Sequence, residues 1–337
     1  MSLPLVVIDA DVLGRRRTGD ETYVEQLLRV LPQVADDLRF AAITRRPDLV
    51  PEGVEPVPLP ARSQELRMAW AVPRLLTRLR PALAHFLHAL PLGSPCRAVV
   101  TIQDLSWERD PSVMDLRTRL TFKAVVRRAA RRAERILAIS ERTRRDVVEL
   151  YGVREEKVVV TPLGVDPVFV PAADRRHDSF LLYVGAIEPR KQPLLAADAA
   201  RALERRLVVV GPTKDEALAA ELRQRGAELR GYVAKDELVR LYQQAACLVF
   251  PSRYEGFGLP IVEAMACGTP VAAFRDAAVR EVAGDAAVLG ADVTECVRRA
   301  LADRERLATA GIERAKAFSW EETARTTARV YREAIGA

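Results

Sequence analysis

"FPSRYEGFGLPIVEAMACGTPVAAF", residues 250–274, reads as a strand end, a glycine-rich turn and a helix in quick succession. Pro260 suits the first helical position and Gly268 the position just past a helix end. The spacing predicts a helix over 260–267, roughly 12 Å long at 1.5 Å per residue. Ile261, Val262, Ala264, Met265 and Ala266 make it apolar on all sides, which marks a buried helix. Glu263 is its one charge, and helical side chains lean toward the N-terminus. Glu255 stands just before that terminus, across Gly256, Phe257 and Gly258. Buried carboxylates need partners. Two readings stay open at this point. Either Glu263 is satisfied by the helix dipole and Glu255 by solvent, or the two serve a ligand. A glycosidase acid and nucleophile pair fits poorly, because a backbone-rich helix mouth suits anions and hydroxyls and offers no obvious protonated acid.

Outward from this segment, short apolar runs alternate with longer helical ones. "PLVVID" precedes "DETYVEQLLRVL", and "RAVVTIQD" precedes "LRTRLTFKAVVRRAARRAE". "RILAIS" runs into "ERTRRDVVELYG", with Ser140 as N-cap and Gly152 just past the end, and "KVVVT" follows. After the polar, proline-containing residues 170–179 the pattern restarts. It runs "FLLYVG", a helix over 193–204, "LVVVG", a helix over 215–225, "AELRGYV", a helix over 235–245, and "CLVFPS". Strands alternating with helices predict parallel sheets with βαβ crossovers. The restart, with a length of 337 residues, predicts two such sheets. The expected fold is α/β, with Rossmann-like domains over 1–171 and 178–337 and a cleft between them. In open sheets of this kind ligands bind beyond the carboxyl ends of strands.

Composition narrows the class. Hydrophobic residues at 49% and charged residues at 29% fit a globular protein rather than a disordered one. No apolar run reaches the eighteen or so residues that span a bilayer. The start reads as a first strand with Asp9 and Asp11 at its exit, not as a signal peptide. Cys96, Cys247, Cys267 and Cys296 are scattered, which predicts reduced thiols in a cytoplasmic protein and neither a disulfide frame nor a zinc site. The net charge of +6 is uneven, since residues 62–145 hold 18 basic and 7 acidic side chains. Arg117, Arg127, Arg128, Arg131, Arg132 and Arg135 are expected largely on one helical stripe. That stripe is either a solvated face or a surface for anionic lipid, at about 1 kcal/mol per basic residue. A pI of 9.3 would admit nucleic acid, but no aromatic-basic platform supports it.

Only six of the 52 basic residues are lysines, so one at a glycine-rich strand exit stands out. "LLYVGAIEPRKQP", residues 181–193, is a strand, a glycine turn, and then Arg190 and Lys191 before a helix. Cations beside a helix N-terminus suit a diphosphate. With carboxylates for hydroxyls in the same domain, the combination describes a sugar nucleotide.

"YVGAIEPRKQP", the run from Gly231 to Phe274 and "REVAGDAAVL" resemble the C-terminal half of the family-4 retaining glycosyltransferases of the GT-B fold. Glu255 and Glu263 match that family's Glu-x7-Glu signature. "GRRRTGDETYVEQLL", "VVTIQDLSWERDP", "ILAISERTRRDV" and "VVVTPLGVDPVF" are similar to its N-terminal half. The resemblance implies that Glu263 holds ribose hydroxyls and Glu255 the donor-sugar hydroxyls, with the amides of Gly256, Phe257, Gly258 and Leu259 nearby. It implies that Lys191, helped by Arg190, neutralises the diphosphate beside Gly185. Tyr232 and Val233 would border the base, and the loop from Gly14 to Gly19 would close over the phosphates. No metal and no cofactor are expected, the nucleotide sugar being itself a substrate. The last helix is expected to pack back on the N-terminal domain. Two departures stand out. Ala186 replaces a frequent arginine, and Gln103 replaces a frequent histidine before Asp104.

Asp104 becomes the polar group expected near the acceptor, unless it only caps its turn. His85 and His88, at another strand exit, are acceptor-side candidates or packing groups. The expected activity is hexose transfer, with mannose from GDP-mannose as the donor and a glycan or lipid-linked acceptor. An epimerase of the same fold and a non-catalytic sugar-nucleotide or membrane-binding protein are the alternatives. The expected location is cytoplasmic, at the inner face of the membrane.

Overall fold

A computed structural model describes residues 3–15, 18–60, 63–110, 114–173 and 180–336. The chain forms two compact units, Met1–Gly164 with Trp320–Ala337, and Val165–Ser319. Most of the stretch expected to link the domains, 170–179, lies outside the described residues. The units divide earlier than that stretch, between Gly164 and Val165, for a local reason. The Val165 N–H donates to Phe318 O at 3.1 Å and Asp166 accepts from Lys235 Nζ at 2.9 Å, which ties this segment to the second unit.

The first unit is built on seven strands: β1 (Leu5–Asp9), β2 (Arg39–Thr44), β3 (Val54–Pro58), β4 (Leu83–Leu87), β5 (Arg97–Ile102), β6 (Arg135–Ala138) and β7 (Val158–Val160). Their order is β3-β2-β1-β4-β5-β6-β7, and every pairing is parallel. The second has β8 (Phe180–Val184), β9 (Arg206–Val210), β10 (Glu228–Gly231), β11 (Cys247–Phe250), β12 (Val271–Phe274) and β13 (Val288–Gly290). Their order is β10-β9-β8-β11-β12-β13, again wholly parallel. Each order reverses beside its first strand, the doubly wound Rossmann arrangement that the alternation predicts. Strands such as β11, buried at every residue, are apolar on both faces because helices cover both. β3, "VEPVP", is an edge strand, where prolines are tolerated.

The caps follow the sequence. Ser140 accepts from the Thr143 N–H at 3.1 Å, and Gly152 closes the helix Glu141–Tyr151 in the left-handed region at φ 63. The arginine stripe is shorter than expected. Its helix, Leu116–Arg132, ends at Ala133, whose ψ of 147 turns the chain extended, so Arg135 opens β6 instead. Arg128 turns inward and donates to Leu90 O and Pro91 O, leaving Arg117, Arg127, Arg131 and Arg132 exposed.

The helix Trp320–Ile335 packs on the helix Thr18–Val34 of the first unit. Arg332 holds Asp37 at 2.6 and 2.8 Å, and Thr323 Oγ1 donates to Pro162 O at 2.6 Å. The four cysteines are free thiols, three of them buried. Burial pushes the Cys247 and Cys267 thiols up to about 12, so both stay protonated.

Candidate functional site

In the second unit, β8 runs into Gly185, a short 3-10 turn Pro189–Lys191 and the helix Pro193–Ala202. The exit of β9 braces this turn. Ile187 N–H donates to Pro212 O at 2.9 Å, and Gly185 N–H to Val210 O at 2.9 Å. Gly211, at φ 136, leaves no room for a side chain, because a Cβ there would stand 2.2 Å from Gly185 O. Tyr183 Oη donates to Ala186 O at 2.9 Å, and Ala186 itself is buried. The cations of this turn are therefore Arg190 and Lys191.

Those cations meet the turn after β11. Lys191 Nζ donates to Glu255 Oε1 at 3.0 Å. Arg190 donates to Glu188 Oε1 at 2.8 Å and to Tyr254 O at 2.5 Å, and its Nη1 lies 3.7 Å from Glu255 Oε1. Lys214 Nζ reaches Glu188 Oε2 at 2.9 Å. Burial alone would raise Glu255. The charges of Lys191 and Arg190, with hydrogen bonds from Ser252 and Lys191, outweigh it and hold the carboxyl below its usual range. Glu188 is held low in the same way: burial opposes ionisation, and Arg190 with Lys214 overrides it.

The helix runs Leu259–Ala266, one residue earlier than the sequence spacing predicts. Gly258, its N-cap, sits at φ 105, a conformation that favours glycine. Phe257 is buried edge-on to Phe318, with ring centroids 5.5 Å apart, which anchors the turn. Glu263 Oε2 accepts from Tyr242 Oη at 2.8 Å. Burial pushes this carboxyl up to about 7, against the Tyr242 bond and the Lys235 charge, while Asp166 adds to the rise. Glu263 is thus a protonatable acid that the sequence reading did not expect here. Glu255, by contrast, is held ionised by its bond to Lys191. At the exit of β10, Tyr232 is 42% exposed and Val233 half-buried. Glu188, Lys214, Tyr242, Lys235 and Asp166 were not singled out from the sequence. Lys214 and Lys235 were visible as two of the six lysines.

In the first unit, Asp9 and Asp11 stand at the exit of β1 as expected, and both are buried. Arg67 pairs with Asp9, and Arg45 grips Asp11 through two bonds of 2.8 Å. Gly19 belongs to the first turn of the helix Thr18–Val34 rather than to a loop, and residues 16 and 17 of the expected loop lie outside the described residues. Asp104 Oδ1 accepts from the Ser106 N–H at 2.8 Å, so it caps its turn. Gln103 is 8% exposed. His85 is not at a strand exit but inside β4. Its Nδ1 lies 2.6 Å from Tyr331 Oη and its Nε2 2.7 Å from Thr101 Oγ1, and burial pushes it down to about 3. It is a neutral core group. His88 does follow β4, close to Asp20 and Trp107. Among the described residues, no group of three or more His, Cys, Asp or Glu side chains could hold a metal ion.

Taken together, the second unit offers two cations at a strand exit, an ionised and a titratable carboxylate, and a glycine-flanked helix N-terminus. That set suits a ligand carrying a diphosphate and vicinal hydroxyls.

Comparison with known proteins bears on the chemistry. Residues 17–169 match the family described as "Glycosyltransferase Family 4", and residues 178–303 that described as "Glycosyl transferases group 1". The chain is 30% identical over 268 residues to the O-antigen chain mannosyltransferase B of Escherichia coli, covering 70% of each. It is 33% identical over 295 residues to a D-inositol 3-phosphate glycosyltransferase of Kribbella flavida, covering 75% of this chain and 68% of that one. It is 35% identical over 260 residues to the MMP alpha-(1->4)-mannosyltransferase of Mycolicibacterium hassiacum, covering 70% and 62%. A sucrose-phosphate synthase from Thermosynechococcus elongatus superposes with a TM-score of 0.79 at 21% identity, over 98% of this chain and 99% of that one. WaaG, a glycosyltransferase involved in lipopolysaccharide biosynthesis, gives 0.75 at 18%, over 97% and 99%. The shared fold is GT-B.

Proposed function

The chain belongs to the family-4, group 1 glycosyltransferases, and from that premise we propose that it moves a hexose, with retention, from a nucleotide diphosphate sugar to an acceptor hydroxyl. The observation that carries this reading is the meeting of Lys191 and Arg190 with Glu255 beside the helix mouth at Gly258. Lys191 and Arg190 meet the diphosphate, Glu255 the hydroxyls of the departing sugar, and Glu263 those of the ribose. The bond between the anomeric carbon and the phosphate oxygen breaks as the bond to the acceptor oxygen forms. The acceptor proton passes to the leaving diphosphate, which departs with both electrons of the broken bond. Negative charge grows on that diphosphate only as the bond breaks, so cations placed there favour the transition state over the ground state. No step needs a metal. Gln103 hydrogen-bonds the sugar, and Asp104 stands on the acceptor side.

Mannose from GDP-mannose is the donor we propose, supported by the mannosyltransferase relatives, with a cell-surface polysaccharide or glycolipid as product. The acceptor surface includes the helix Leu116–Arg132, which exposes Leu116 and Leu120 beside Arg127 and Arg131. That pairing of apolar and cationic groups suits the anionic inner face of a membrane. No described helix is long and apolar enough to cross one. Thermal unfolding against a panel of nucleotide sugars tests the donor, because a bound ligand raises the midpoint by mass action. Stabilisation by none of them would sink the whole reading. NMR of the sugar first released on slow hydrolysis tests retention, and the β anomer appearing first from an α-linked donor would exclude it.

A further inference from the structure

The carboxyl end of the first sheet holds a titratable side chain that the proposed reaction leaves unused. His88 follows β4 with its backbone at φ 57, a region where residues other than glycine are uncommon and which recurs at functional sites. Its N–H donates to Thr101 O at 2.9 Å, which pins it to β5. The ring lies edge-on to Trp107, with centroids 5.7 Å apart. Its Nε2 stands 3.8 Å from Asp20 Oδ1, in the first turn of the helix Thr18–Val34. Its Nδ1 is buried and has no hydrogen-bond partner among the described residues. Directly after β5, Gln103 is 8% exposed, and its Nε2 is likewise buried without a partner among the described residues. Gly19 closes over that amide, since a side-chain carbon there would stand 3.5 Å from Gln103 Oε1. Two buried nitrogens with unused hydrogen-bonding capacity therefore follow the ends of the neighbouring strands β4 and β5, where an open sheet binds its ligands.

We propose that His88, held by Asp20, forms with Gln103 a receptor for a sugar hydroxyl, and that its imidazole sets the pH range over which the sugar is held. The Gln103 contact rests on the transferase reading above; the His88 and Asp20 contribution is new to it. The charged groups facing the ring are Asp20, from the helix Thr18–Val34, and Asp104, from the turn after β5. Burial opposes the imidazolium, but the negative charges of Asp20 and Asp104 more than offset it and hold His88 above its ordinary range. In the charged ring both nitrogens are donors, Nε2 toward Asp20 and Nδ1 toward a sugar oxygen. Raising the pH removes the charge-assisted Nδ1 donor, so sugar affinity falls as the ring deprotonates.

The test is an imidazole nitrogen NMR titration of the full chain, which has only three histidines. His85, pushed down to about 3, stays neutral throughout. The arms are GDP, GDP-mannose, UDP, UDP-glucose, and free mannose added to the GDP-loaded protein. The expected result is a His88 shift with a nucleotide sugar beyond that of its nucleotide alone, if the donor supplies the hydroxyl. A shift only when mannose follows GDP assigns the hydroxyl to the acceptor side. In kinetics, His88→Asn, which tolerates the left-handed backbone, should raise the KM about tenfold at low pH and flatten its pH dependence. Asp20→Asn should move the same limb to lower pH without abolishing it. A nucleotide sugar that binds by calorimetry yet leaves the His88 resonance unchanged in every arm would overturn the proposal. So would a wild-type pH profile in His88→Asn. Absence of any nucleotide binding by calorimetry overturns the transferase reading and this proposal with it.

Discussion

Lys191 and Glu255 are 64 positions apart in the chain and 3.0 Å apart in space. Each is conspicuous in the sequence, one as a rare lysine at a glycine turn, the other as a carboxylate in an apolar segment. Their pairing is not legible there, because it depends on β8 and β11 lying side by side in the sheet. Lys191→Ala leaves Glu255 with Arg190 at 3.7 Å as its remaining cation. Breaking a pair this buried should cost about 3 kcal/mol in chemical denaturation. Turnover should fall a hundredfold or more, on the order of the loss of one preorganised charge at a transition state. Adding Glu255→Gln should restore stability but not turnover; recovery of both would assign Lys191 a purely structural task.

Glu263 makes the pH prediction at this scale. Its carboxyl is raised in the folded chain from 4.5 to about 7, so between those values the folded state binds more protons than the unfolded one. Stability from this group is therefore present below the lower value and lost as pH rises through the upper one, by up to about 3 kcal/mol. Glu263→Gln should remove that loss, so denaturation at pH 8 should favour the variant more than at pH 5. Ribose hydroxyls donating to the ionised form should lower this pKa on binding. Nucleotide binding near pH 6 should then release protons in wild type and fewer in Glu263→Gln, measured by calorimetry in buffers of different ionisation enthalpy. Equal release would remove Glu263 from the ribose.

At the scale of elements, strand and helix alternation was readable because parallel strands buried on both faces are continuous apolar runs. β3 was not, since "VEPVP" carries two prolines and a charge among five residues and owes its place to its pairing with β2. The end of the helix Leu116–Arg132 was also overrun, because Arg135 continues the arginine spacing after the backbone has turned. The glycines of the two turns carry a sharper consequence. Gly258→Ala would force a side chain at φ 105 and place its Cβ 3.2 Å from Ile261 Cδ1. The strain should cost about 1–3 kcal/mol and tilt the helix mouth, lowering donor affinity along with stability. Gly211→Ala faces backbone rather than a movable side chain, at 2.2 Å from Gly185 O, so it should be the more damaging of the two. Thermal midpoints of the pair check that ranking.

For the whole molecule, the division into two units was legible as a restart of the pattern, but its boundary was not. The boundary is set instead by the second-unit groups, Phe318 O and Lys235 Nζ, to which Val165 and Asp166 bond. The return of the C-terminal helix to the first unit rests on contacts such as Tyr331 with His85, 246 positions apart. This topology gives a direct test. Trp70, Trp107 and Trp320 all fall in the first unit, so tryptophan fluorescence reports its unfolding alone. Tyr331 is fully buried against His85, and Tyr331→Ala removes both its volume and the partner of His85 Nδ1. The expected cost is about 3–5 kcal/mol, seen as a lower fluorescence midpoint. GDP affinity, measured below that midpoint, should stay unchanged, because the proposed nucleotide groups Lys191, Glu255 and Glu263 all belong to the second unit. A matching loss of GDP affinity would mean that the nucleotide depends on the first sheet as much as on the second, and the donor-site assignment would have to be redrawn around both.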